Sequence, residues 1–184
     1  MGREIRMVPP NWEHPMKDPP PIHWIPGVGL RHDPSFQPMY DKTFDDAAKD
    51  WRDEFAKWER GERESYFNAS EYPNGIEFWE WHGEPPDRKY YRPWKDEDAT
   101  WVQLWETVSE GTPVSPPFAT REELAQYLAV NGDYWDQKRG DGGWGIESAR
   151  AFVEVGWAPS MMVRDGVITD SKDIPLSYQK QDAK

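Results

Sequence analysis

The chain has 184 residues, a formal net charge of -12 at pH 7 and no cysteine. This length fits one domain with an extension. Because nucleic acid duplexes and anionic membranes attract basic surfaces, the acidity and the lack of any Lys/Arg run disfavour both as direct partners. The missing cysteine excludes disulfides, zinc–thiolate and iron–sulfur sites and a cysteine nucleophile.

Aromatic residues are frequent, with 12 Trp, 8 Tyr and 7 Phe, although the mean hydropathy is -0.99. Each buried ring removes roughly 150–250 Å² of surface from water. We therefore expect a small core built on rings. The alternative use of such rings is a recognition surface, because Trp and Tyr are enriched where binding energy concentrates.

Residues 1–40 contain nine of the 18 prolines. Proline blocks helices and removes backbone donors, so the composition predicts an extended arm that packs across the domain or onto a partner. The first fifteen residues have no apolar run, and we expect no secretory signal peptide.

The clearest predicted helix covers residues 43–61. Thr43 is a favourable N-cap with Asp46 at the third helical position, and Gly61 is a plausible stop. Apolar residues recur at helical spacing and form one face; they are Phe44, Ala47, Ala48, Trp51, Phe55 and Trp58.

Residues 64–98 are the least regular segment. The sequence Pro73-Asn74-Gly75 indicates a turn, and residues 76–82 are compatible with a short strand. The stretch from Glu71 to Glu110 contains ten acidic and only four basic residues, which gives it a net charge of -6. We expect any partner-binding face in this acidic, aromatic stretch, and the candidate residues are Trp79, Trp81, Glu84, Tyr90, Tyr91 and Trp94.

The C-terminal half shows the strongest local signals. Residues 100–108 are rich in β-branched and aromatic residues and predict a strand, which the prolines of residues 113–117 prevent from continuing in a ladder. Thr120 and Glu123 form a capping box that begins a helix over residues 120–131. Another helix is predicted over 145–155, and Asp165-Gly166 predicts a hairpin turn within 161–169.

These elements predict an α+β fold. A small antiparallel sheet, from about residues 100–108 and 161–169, packs against three helices in a single domain over residues 41–170. The arm of residues 1–40 wraps this domain, and residues 171–184 form a polar tail. The expected core residues are Trp51, Phe55, Trp58, Trp101, Trp105, Leu124, Leu128, Phe152 and Trp157.

Motifs for chemistry are missing from the sequence. The three histidines of the arm, His14, His23 and His32, do not have the spacing of a local metal-binding pair. The glycine-rich residues 140–145 lack the Lys-Ser/Thr and the preceding strand of a phosphate-binding loop. We therefore predict no catalytic, metal-binding or cofactor-binding residue; an enzyme of unknown type and a carbohydrate-binding module remain as alternatives.

Three segments carry a resemblance: VPPNWEHP at Val8–Pro15, QLWETVSEGTPVSPPFATREELAQYL at Gln103–Leu128, and GWAPS at Gly156–Ser160. They resemble a family of uncharacterised phage and prophage proteins that share the pattern LWETxSEGTPVSPxFATxEELAxxL followed by GWAPS. Some proteins of that family carry Cys-x-x-Cys motifs suggestive of a zinc knuckle, which this chain lacks. The resemblance implies a phage origin and no particular activity.

A phage origin, the acidity and the Trp-rich middle region together favour a non-enzymatic interaction protein. The expected partner is a host or phage protein in the cytoplasm of the infected bacterium, and inhibition of a host or defence protein is one form of this function. The alternative is a structural or accessory component of the virion that uses the arm for assembly.

Overall fold

The computed structural model describes residues 2–18, 22–25, 29–32, 35–108, 110–159, 161–164, 166–170 and 172–174. Most of the predicted tail, residues 175–184, lies outside the described residues. None of the helices among the described residues has the length and apolar character needed to span a lipid bilayer.

The described strands are β1 (Gly2–Val8), β2 (Ile22–Ile25), β3 (Gly29–His32), β4 (Tyr40–Thr43), β5 (Tyr91–Arg92), β6 (Trp101–Glu106), β7 (Thr112–Pro113), β8 (Trp157–Pro159), β9 (Met161–Arg164) and β10 (Val167–Asp170). The described α-helices are α1 (Phe44–Glu59), α2 (Phe78–His82), α3 (Arg121–Asn131), α4 (Tyr134–Arg139) and α5 (Ile146–Val155). The chain forms two compact units. The larger unit lies within residues 1–39 and 94–184, and the smaller unit comprises residues 40–93.

The larger unit is built on a four-stranded antiparallel sheet in the order β7-β6-β1-β8. Strand β1 is an inner strand: it pairs with β6 from Arg3 opposite Glu106 to Val8 opposite Trp101, and with β8 at Glu4 opposite Trp157. The sheet and its helices confirm the predicted α+β class. The N-terminal segment that the sequence predicts as extended thus begins with a strand of the central sheet.

The two faces of this sheet carry different cores, because successive side chains of a strand point to opposite sides. On one face, Val102 and Leu104 of β6 pack with Leu124, Leu128 and Phe152 of helices α3 and α5. On the other face, Trp101 and Trp105 of the same strand pack in a second cluster, whose other members are Val8, Trp12, Met39, Trp94 and Ala99.

The predicted pairing of residues 100–108 with 161–169 is wrong. The hairpin itself forms, since β9 pairs with β10 from Arg164 opposite Val167 to Met161 opposite Asp170, but it is a separate two-stranded sheet. Strand β6 instead pairs with β1 and with the short β7. Pro113 lies within β7 although proline disfavours a ladder; β7 is the edge strand, where a missing donor costs nothing.

Side-chain caps begin α3 and α4 of the larger unit, as the sequence predicts for α3. The Thr120 hydroxyl accepts from the backbone N–H of Glu123 at 3.1 Å, while the Glu123 carboxylate accepts from Thr120 N at 3.1 Å. Helix α5 confirms the prediction over 145–155. The glycine-rich loop before it packs tightly on α3, because a Cβ at Gly143 would lie 2.1 Å from the carbonyl oxygen of Ala129.

The smaller unit contains α1, α2 and the parallel pair β4–β5. Thr43 caps α1 as predicted, its hydroxyl accepting from Asp46 N at 3.2 Å. The expected short strand over residues 76–82 is wrong: Phe78–His82 form the helix α2. A capping box between Glu77 and Glu80 starts this helix and outweighs the β propensity of the aromatic run.

The predicted core is confirmed for Trp105, Leu124, Leu128 and Phe152, which are buried. The side chains of Trp51, Phe55, Trp58 and Trp101 are half-buried. The prediction of Trp157 as a core residue is wrong, because 53% of its surface is exposed. Its neighbour Ala158 takes the inward position of β8, so the alternation of the strand turns Trp157 outward.

Candidate functional site

The predicted binding residues separate in the structure. Trp79 on α2 is 45% exposed, whereas Trp81 is half-buried. Tyr90 and Tyr91 are half-buried as well. The expectation that Trp94 is a surface aromatic is wrong, because this residue is only 6% exposed. It packs in the larger unit against Trp12, with ring centroids 4.4 Å apart.

The smaller unit has a core made of rings. Between residues 40 and 93 the sequence contains no Leu, Val or Met and a single Ile. Phe78 is the centre of the ring cluster, with His82 stacked on it at 4.8 Å and Trp51 and Phe55 at 5.1 and 5.3 Å between centroids. Because so few aliphatic side chains cover these rings, most of them stay partly accessible to solvent.

One groove of the smaller unit combines rings with carboxylates. It has a volume of 440 Å³ and is lined by Tyr40, Asp41, Lys42, Ala47, Asp50, Trp51, His82, Glu84, Pro86 and Tyr91. The predicted residues Glu84 and Tyr91 thus meet here, while Trp79 and Trp81 do not line it. The Trp51 indole donates to the carbonyl oxygen of Gly83 at 3.1 Å, which fixes its ring at the wall.

Two of the three carboxylates along this groove lie close to a basic side chain. Asp50 forms an ion pair with Lys42, and the hydrogen bond from that ammonium holds the pKa of Asp50 below its ordinary value. Asp41 lies 3.6 Å from the Arg92 guanidinium. Glu84 is exposed and lies at the groove as a carboxylate accessible to a ligand.

A second concavity of the smaller unit contains a guanidinium group packed on an aromatic ring of the same unit. It has a volume of 290 Å³ and is lined by Glu54, Lys57, Trp58, Glu62, Arg63, Glu64, Phe78, Trp81 and His82. The Arg63 guanidinium covers the Trp58 ring, with Cζ 3.6 Å from the ring centroid, and donates to the Trp58 carbonyl oxygen at 2.7 Å. Arg88 similarly lies 4.0 Å from the centroid of Phe44. The aromatic faces of this unit therefore accept guanidinium groups.

A buried pair of carboxylates in the larger unit has a structural role. Asp133 accepts from the backbone N–H of Trp135 and forms an ion pair with Arg3. Asp136 accepts from the Trp144 indole at 2.5 Å and from Arg139 at 2.7 Å. All four carboxylate oxygens accept hydrogen bonds, including those from the backbone N–H groups of Asp133 and Asp136. The pair therefore anchors the start of α4.

The pKa values of the two carboxyl groups shift in opposite directions. Burial raises the pKa of Asp133 above its ordinary value. Burial also acts on Asp136, but the hydrogen bonds from Trp144 and the backbone and the charge of Arg3 outweigh it, so its pKa is lowered. This pair was not predicted from the sequence, although the spacing Asp133-x-x-Asp136 is a capping pattern that identifies it.

The described residues contain no group of three or more His, Asp or Glu side chains placed to hold a metal ion. His14 belongs to an aromatic cluster in which its ring centroid lies 4.9 Å from Trp105. The side chains of His23 and His32 lie outside those that the structure describes.

Comparisons with protein-family models, with curated proteins and with solved structures found no match to this chain. The resemblance to phage proteins therefore stays a prediction. The groove of the smaller unit, with Glu84 and Tyr91 at its wall, is the site that best fits the predicted recognition surface.

Proposed function

We propose that this chain is a phage-encoded, non-enzymatic interaction protein that binds the basic surface of a host protein in the cytoplasm of the infected bacterium. The observation that carries this proposal is the groove of the smaller unit, where aromatic rings and carboxylates line one cavity of 440 Å³. The chain's net charge of -12 adds long-range attraction for a basic partner.

Arginine is the partner residue that this groove suits best. A guanidinium stacks on aromatic faces and also forms paired hydrogen bonds with a carboxylate. Tyr91 and Trp51 supply rings at the groove, and Glu84 supplies an exposed carboxylate. The stacking of Arg63 on Trp58 is an internal example of the same contact in this unit.

A partner that normally binds nucleic acid fits this chemistry. Its basic surface would attract an acidic, ring-lined protein as it attracts phosphates and bases. Occupation of that surface would inhibit the partner without any catalytic step.

The test is affinity capture from lysate of the bacterial host, with the full chain as bait and mass spectrometry as the readout. The wild type should retain a discrete basic protein at low salt and release it as salt screens the contact. Glu84→Arg should weaken retention by roughly tenfold, because it places a positive charge at the groove. The matched control is Glu59→Arg, which makes the same charge change at an exposed position outside the groove.

Two results would contradict the proposal. One is the absence of any retained protein at low salt. The other is equal loss of binding in both variants, because that would assign the attraction to net charge alone. Mass spectrometry of purified virions tests the alternative role as a structural component of the virion, since such a component would be found in the particles.

A further inference from the structure

The larger unit contains a groove of its own, with a volume of 330 Å³. The arm supplies Trp12, His14 and Phe36, which the backbone bridge between Met16 and Phe36 holds together. The loop of residues 113–117 supplies the opposite wall and is fixed by the hydrogen bond from Tyr134 N to the Val114 carbonyl at 2.8 Å.

This groove is uncharged in a strongly charged chain. Asp, Glu, Lys and Arg are all missing from the residues that line it, although they make up 30% of the sequence. His14 is also held neutral here. One ring nitrogen faces the Trp12 indole N–H at 3.3 Å and the other the Gln37 carbonyl oxygen at 2.6 Å, an arrangement that suits a neutral imidazole acting once as acceptor and once as donor.

The polar groups of the lining are neutral: hydroxyl groups, the amides of Gln103 and Gln137, and the imidazole of His14. Tyr127 accepts a hydrogen bond from the Gln137 side chain at 2.9 Å, which leaves its own O–H proton for donation. Tyr134 is an exposed residue of the same lining. The groove therefore combines aromatic and proline surfaces with hydroxyl donors and carries no charge to select a charged ligand.

We propose that this groove binds an uncharged, proline-rich segment of a partner protein in the polyproline II conformation. Such a segment has no internal hydrogen bonds, so its carbonyl oxygens need donors, and aromatic-lined grooves recognise its preformed ridges. Tyr127 and Tyr134 provide donors, and Trp12 and Phe36 provide ring surfaces. This site is separate from the groove proposed to bind arginine and does not depend on it.

The test is a titration of the full chain with decaproline, followed by intrinsic tryptophan fluorescence and by isothermal calorimetry. Saturable binding is expected for the wild type. Tyr134→Ala should weaken it by about tenfold or more, equivalent to about 1.4 kcal/mol. Tyr66→Ala is the matched control, because Tyr66 is an exposed tyrosine of the smaller unit that does not line the groove.

Conservative variants keep the test valid if the alanine variant loses its fold. Tyr127→Phe and Tyr134→Phe preserve both rings and remove only the hydroxyl groups, so each should still weaken binding while the circular dichroism spectrum stays unchanged. Absence of decaproline binding would overturn the proposal, as would equal binding by wild type and both phenylalanine variants. Binding of oligothymidylate in place of decaproline would also overturn it and assign the rings to base stacking.

Discussion

The guanidinium of Arg6 lies over the buried ring of Trp105, with Cζ 4.4 Å from the ring centroid. Both residues belong to inner strands of the sheet, and Arg6 is itself buried. Its nitrogens donate to the Met39 carbonyl at 2.5 Å, to the Glu110 carbonyl at 3.1 Å and to Glu4 at 2.6 Å. One cation thus ties strand β1 to two segments of the larger unit that are distant in sequence.

Replacement of this arginine by lysine should be strongly destabilising although the charge is kept. Lysine lacks the planar fork, so Arg6→Lys would lose the stacking on Trp105 and leave a buried carbonyl without its donor. We expect the free energy of unfolding to fall by about 2–3 kcal/mol. Urea denaturation followed by circular dichroism measures this change. Arg52→Lys, at an exposed position of α1, should stay within about 0.5 kcal/mol of wild type.

The charge of the buried Asp133 carboxylate should contribute more to the free energy of unfolding than its capping of α4 does. Asparagine caps helices as well as aspartate does, so Asp133→Asn keeps the acceptor for the backbone N–H of Trp135. It removes the negative charge opposite Arg3, and we expect a loss of about 3 kcal/mol in the free energy of unfolding. The exposed cap Asp87 is the control, and equal effects of Asp87→Asn and Asp133→Asn would contradict the assignment.

The neutral state of His14 should make the larger unit sensitive to acid. Burial lowers the pKa of His14 below its ordinary value of 6.5, so the unfolded chain takes up this proton at a higher pH than the folded protein does. The contribution of His14 is therefore complete above pH 6.5 and is lost as the pH falls below it, with a slope of at most about 1.4 kcal/mol per pH unit.

Urea midpoints measured between pH 7.5 and 5 test this behaviour. His14→Gln should flatten the decline, because glutamine cannot take up a proton in that range. An unchanged pH profile in this variant would show that other groups cause the decline.

The sequence predicted the starts of α1 and α3 because their capping signals are local. Thr43 and Thr120 each bond to a backbone N–H three residues later, and this contact is the same in any fold. The central strand β1 was not predicted as a strand, because Arg3, Glu4 and Arg6 make Gly2–Val8 resemble a solvated segment. Their partners lie far along the chain, as with Arg3 and Asp133, and no local pattern reveals such pairs.

The candidate site was predictable only in part, for a similar reason. The acidic, aromatic stretch between Glu71 and Glu110 contains Glu84 and Tyr91, which line the same groove. The contributions of Trp51 and Tyr40 to the same groove come from α1 and β4. The burial of Trp94 depends on its contact with Trp12, 82 positions earlier in the chain, which composition does not encode.

The two tryptophans Trp105 and Trp157, both expected in the core, should differ sharply in their contribution to stability. Trp105 is fully buried, and Trp105→Ala should cost about 3–5 kcal/mol through lost contacts and the cavity left behind. Trp157 is 53% exposed, so Trp157→Ala should cost about 1 kcal/mol. Urea unfolding followed by far-ultraviolet circular dichroism compares them without relying on tryptophan emission. If Trp105→Ala fails to fold, Trp105→Phe provides a milder comparison, and a larger effect at Trp157 than at Trp105 would contradict the described orientation of β8.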